Sequence, residues 1–113
     1  MSTPTTVPVV DPETFVAVAP RWWFSNFGGM LAFWVFSRRS KSRWMRRGFA
    51  LAAMTHVVES LYSYDKARRA GFHTSANRWA LQTLAVGFPS LGALREAIDA
   101  AHLAATSGDD LAA

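Results

Sequence analysis

Six of the ten residues from Arg38 to Arg47 are cationic, and on either side of them lie long stretches almost free of charge. A bilayer core rejects such a run, so in a membrane it must sit at the headgroups, as a loop or at helix ends. The block before it, Trp22 to Ser37, is sixteen residues interrupted only by Ser25, Asn26, Gly28 and Gly29. Pro20 suits a helix start, where a missing N–H costs nothing. The block falls short of the ~20 residues that a perpendicular spanning helix wants. A snorkelling Arg21 lengthens it, and a re-entrant or interfacial helix is the other option.

The second block runs from Gly48 to Tyr64, and its helix continues through Lys66, Arg68 and Arg69 to Gly71, basic residues followed by Gly being a C-terminal signature. Arg47 to Ala70 is 24 residues, roughly 36 Å at 1.5 Å per residue, enough to cross a bilayer. Thr74 or Ser75 offers an N-cap for a third helix, starting near Asn77 and kinked at an interior Pro89. Glu96 to Ala105 still reads as helix but is polar enough to leave the membrane.

These blocks predict an all-α fold: a small integral membrane bundle of about three hydrophobic helices. Residues 1–20, with Pro4, Pro8, Pro12 and Pro20, read as a flexible tail; 21–105 as one helical membrane domain; 106–113 as a loose C-terminal end. Only 18% of the residues are charged, against about 25% in soluble domains, and they cluster between apolar blocks where they cannot form a polar coat. The absence of cysteine removes disulfides and thiolate chemistry. Ten Arg against two Lys suggests a GC-rich bacterial genome and hence a bacterial cytoplasmic membrane. Because the cations flank apolar blocks, the partner they imply is anionic lipid and not nucleic acid. Counting Arg95 with the Arg38–Arg47 run gives seven cations against five, which places that run in the cytoplasm. Trp22, Trp23, Trp44 and Trp79 sit at block ends, where an aromatic belt would anchor the protein, with Trp22 and Trp79 at one interface.

Chemistry concentrates in the second helix. His56, Glu59 and Ser63 share one helical face at three- and four-residue spacing. A carboxyl group at that depth must be neutral, paired or facing a cavity. One reading is a proton-handling or ligand-binding site; the other is a clasp that fixes helix packing. Gln82 and Thr83 are the candidate partners, with a Glu59–His56–Gln82 network as the expected arrangement. Gly87 and Ser90 extend a small face suited to close helix packing. No metal site or cofactor motif is present: His73 and His102 are poorly placed to pair with His56 around a haem.

The stretch from His56 through Glu59-Ser60-Leu61-Tyr62, then Gly71, Thr74-Ser75, and Trp79-Ala-Leu81-Gln82-Thr83 on to Gly87 and Ser90-Leu91, resembles the transmembrane protein 254 family over about residues 48–94. The loop before Trp79 is a little shorter here, Pro89 replaces a small apolar residue, and the first segment and Arg-rich run are not obviously shared. The resemblance implies a multi-pass membrane protein and no particular activity, and it points to His56, Glu59, Gln82 and Thr83 as the working part. Two functions fit: an accessory or scaffold subunit, not an enzyme, packing with a larger membrane protein or with itself, or a lipid- or sterol-binding protein, isomerase-like, with Glu59 as acid and His56 as its partner.

Overall fold

The computed structural model describes the backbone of residues 10–112 and the side chains of residues 10–106. Residues 1–9, part of the segment read as a flexible tail, lie outside the described residues. Among the described residues all regular structure is helical. Helix α1 is continuous over 20–39: an α-turn at Pro20–Trp22, a π-helical stretch at Trp23–Phe27, and α-helix over Gly28–Arg39. Pro20 does occupy the first turn. The wider π turn coincides with Asn26, whose side-chain amide donates to Trp22 O at 3.3 Å, as local side-chain bonding at such irregularities does. Helix α2 is Arg43–Arg69, α3 is Ala76–Val86 and α4 is Phe88–Ala112. The cationic run is therefore mostly helical, split between the end of α1 and the start of α2. The predicted end of the second helix holds: Ala70 is its C-cap and Gly71 follows at φ 101°.

The expected third helix is instead a hairpin. Gly87 adopts φ 79°, ψ −137°, a conformation essentially confined to glycine, and the chain reverses there. Ser90 meets Gln82 and Thr83, and Leu94 joins Trp79 and Ala76 in the buried core, so α4 doubles back along α3. Pro89 causes no kink, because it lies in the first turn of α4, where its missing N–H is harmless. Arg78 and Arg95 consequently return to one end. The cation count becomes six at each end, so it no longer orients the protein.

Both chain ends also differ from expectation. Residues 10–19 form no helix, but they are tied down: Pro12 O accepts from Thr74 N and Ser75 N, both at 3.0 Å, and Val10 and Phe15 pack on the core. The end read as loose continues as helix to Ala112. Trp79 is fully buried, its ring edge-on to Phe15 at 5.0 Å, so it belongs to the core and not to an aromatic belt. Trp22 packs edge-on to Phe88 at 5.9 Å.

The molecule is elongated, 74 × 23 × 18 Å. Helix α2 is its spine: α1 packs along its first half, through Phe33 against Phe49, and α3 along its second, through Ser60 and His56. The core of Ala67, Phe72, Ala76, Trp79 and Leu94 lies at the α3/α4 end. Charged side chains such as Asp65, Arg68, Arg78 and Glu96 surround that head. The other half exposes large apolar residues, among them Phe24, Leu31 and Phe36 of α1 and Leu51, Met54, Val58 and Leu61 of α2. No helix among the described residues is both long and apolar enough to meet the usual measure of a membrane span.

Candidate functional site

The polar residues singled out in the sequence gather around the hairpin turn, but as two clusters. The first is built on α2. His56 Nδ1 lies 2.8 Å from Leu84 O. A carbonyl only accepts, so Nδ1 carries the hydrogen and the Nδ1–H tautomer is set. Leu84 is in the last turn of α3, where the break at Gly87 removes the usual intrahelical donors. His56 supplies the missing bond from another helix. One turn on, the Ser60 hydroxyl donates to Ala80 O at 2.7 Å, a second link along the same seam. Gly87 sits directly under these residues: a Cβ placed there would lie 3.2 Å from His56 Cε1 and Nε2 and 3.3 Å from Glu59 Oε2.

Glu59 is brought beside His56 but not into an ion pair with it; the one pair among the described residues is Arg69 with Asp65 at 3.0 Å. Glu59 Oε2 is buried with no hydrogen-bond partner, and so is the hydroxyl of fully buried Ser63 a turn away. Orphaned buried polar atoms are uncommon and need a reason.

The second cluster faces the other way. Gln82 does not complete a network with Glu59 and His56. Its Oε1 accepts from Val18 N at 2.9 Å, and its Nε2 donates to Val16 O at 3.2 Å and to the Ser90 hydroxyl at 3.1 Å. Thr83 Oγ1 donates to Trp79 O at 2.8 Å and lies 2.9 Å from Ser90 Oγ. Thr83 has a single hydroxyl hydrogen, which Trp79 O takes, so Ser90 supplies the one between the two hydroxyls. Thr83 and Ser90 thus meet across the hairpin, not along one helix.

Gln82 continues a line that sequence reasoning missed. Thr14 O accepts both the Ser75 hydroxyl at 2.6 Å and the Trp79 indole N–H at 3.0 Å. Ser75, Trp79 and Gln82, spaced four and three along one face of α3, hold the backbone of residues 12–18 at alternate positions. They strap the N-terminal segment to the hairpin. The helical spacing of these three was visible in the sequence; their common target, main-chain atoms present at every residue, was not.

Grooves of about 400, 470 and 370 Å³ open elsewhere, between the ends of α1 and α2, beside Trp22 and Phe88, and between residues 10–16 and α4. Neither His56 nor Glu59 lines any of them.

A family model described as transmembrane protein 254 matches residues 12–96, well over half of the chain. The match begins at Pro12, where the strap makes its first bonds, and it takes in α1 and the cationic run that the motifs alone left outside. No curated protein and no solved structure matches.

Proposed function

This chain belongs to the transmembrane protein 254 family, and from that premise we propose that it is a small membrane-embedded protein that works by assembly, as an accessory or scaffold subunit beside a larger membrane protein or another copy of itself. The observation that carries this reading is the direction of the polar groups. His56, Ser60, Gln82 and Thr83 all bond to the chain's own backbone, while the outer faces of α1 and α2 are left apolar. Polar groups so used hold helices together and leave the outer face to lipid or a partner.

Beyond the arginines of its first turns, the exposed apolar band on α2 runs from Leu51 to Tyr62, roughly 17 Å at 1.5 Å per residue, against the ~30 Å of a hydrocarbon core. In this reading α1 and α2 cross the bilayer, the tip of the α3/α4 hairpin dips into it, and the charged head stays at the interface. Trp and Gly in α1, and the inward-facing His56, Glu59 and Ser63 in α2, lower the average apolarity of helices whose outer faces are suited to lipid.

A second reading rests on Glu59 Oε2, buried and unpartnered beside an imidazole. It supports a lipid- or sterol-binding protein, isomerase-like, in which Glu59 passes a proton. Substitution separates the two. For an assembly protein, Glu59→Gln and Glu59→Leu should both assemble normally in mild detergent and complement a gene deletion, because no bond is lost at Oε2. His56→Ala should instead destabilise the protein by about 0.5–1.5 kcal/mol, the net worth of the bond to Leu84 O. A Glu59→Gln protein that assembles normally yet behaves as a deletion would reverse the preference.

A further inference from the structure

We propose that the cavity between the end of α1 and the start of α2 binds the anionic phosphate headgroup of a membrane lipid, an inference that rests on the membrane-embedded reading above. The cavity, about 400 Å³, is lined by Trp34, Ser37 and Arg38 from α1 and by Arg46 and Phe49 from α2. Two arginines and two aromatic residues therefore border one space. Guanidinium groups match phosphate oxygens by bidentate donation. Trp34 and Phe49 give acyl carbons an apolar surface at the end of the band that would face lipid.

No carboxylate compensates the charge around this cavity. From Thr14 to Val58 the sequence contains no Asp or Glu, and none of the six cations between Arg38 and Arg47 makes an ion pair among the described residues. Arg38 rests instead over the Trp34 ring at 5.6 Å. Arg43, Arg46 and Arg47 begin α2, whose first turn has no acidic residue and no side-chain cap from Ser42. Cations are unfavourable at that positive helix end. A bound anion would relieve both the mutual repulsion and the clash with the helix dipole. A nucleic acid has the same phosphates but no use for the aromatic residues or the apolar helices beside it.

The test uses the full chain. Flotation with vesicles of phosphatidylcholine alone, and of phosphatidylcholine mixed with phosphatidylglycerol, reads membrane association. Native mass spectrometry from detergent containing both lipids reads which is retained. The wild type should float with both vesicles and retain phosphatidylglycerol selectively. Removing two charges anywhere on this run costs the diffuse attraction, roughly 1 kcal/mol per basic residue near an anionic surface. Arg38→Gln with Arg46→Gln also loses the direct ion pairs in the cavity and should lower that selectivity at least about threefold more than Arg39→Gln with Arg43→Gln, the same charge removed outside it, and both pairs should keep wild-type helicity. Equal losses in the two pairs would reduce the site to diffuse charge and overturn it. So would displacement of the lipid by millimolar inorganic phosphate or by an oligonucleotide, which would assign the anion to another source. Flotation with both vesicles without lipid selectivity would overturn the headgroup site alone. Failure to float with either would overturn the membrane reading beneath it.

Discussion

Gly87→Ala is expected to lower stability by about 2–4 kcal/mol. Two terms add. At φ 79° and ψ −137° the backbone is in a region that costs a residue with a Cβ about 1–3 kcal/mol. The new Cβ would also lie 3.2 Å from the His56 ring, and moving that ring stretches the bond to Leu84 O, worth about 0.5–1.5 kcal/mol. For a domain of this size the loss corresponds to a midpoint roughly 10 °C or more lower in a thermal scan in detergent. A double-mutant cycle divides the terms: with His56→Ala in place, Gly87→Ala should cost less, because the clash with the ring is gone and only the backbone strain and the tight contact with Glu59 Oε2 remain. Equal costs in both backgrounds would remove the contact from the explanation.

Trp79→Ala should be the most damaging single truncation, at about 3–5 kcal/mol for a fully buried indole. Its effect should spread to the N-terminal segment, because Phe15 packs on the ring and Thr14 O accepts its N–H. Trp79→Phe keeps most of the packing and removes only the N–H, while Ser75 still donates to Thr14 O. Hydrogen exchange reads the difference. The amide of Val18, held by Gln82, should exchange much faster in Trp79→Ala and only slightly faster in Trp79→Phe. Unchanged protection at Val18 in Trp79→Ala would mean that the strap is held independently of the core.

The sequence made the helical class legible through Pro20 at a helix start, the basic turn before Gly71, and the uncharged blocks between arginines. It also placed His56, Glu59 and Ser63 on one face, and the structure keeps them there. The sequence reads the hairpin as a kink because Pro89 is the louder signal. Yet a proline two residues after a glycine is equally the mark of a new helix beginning after a turn, and only the positive φ of Gly87 decides between them. His56 could not be matched with Leu84 O beforehand, since that carbonyl is free only once the helix is broken. The sequence pairs Gln82 with Glu59 because both lie on polar faces. An α3 helix with neighbours on two sides can use a polar face on either, and here the side away from α2 claimed it. The N-terminal segment carries the proline-rich composition of a loose tail, and its docking depends on backbone atoms that composition does not report.

The central claim, that the apolar band of α1 and α2 lies in the bilayer and the α3/α4 head does not, is most directly tested by single-cysteine accessibility, for which a chain without cysteine is well suited. Cysteines at Phe24, Leu31, Leu51 and Val58, all exposed on the isolated molecule, should resist a membrane-impermeant maleimide in vesicles open to reagent on both sides and react once the protein is unfolded in detergent. Cysteines at His73 and Arg95 on the head should react under both conditions. Labelling of Leu51→Cys and Val58→Cys in intact vesicles as fast as His73→Cys would place the band in water and contradict the account.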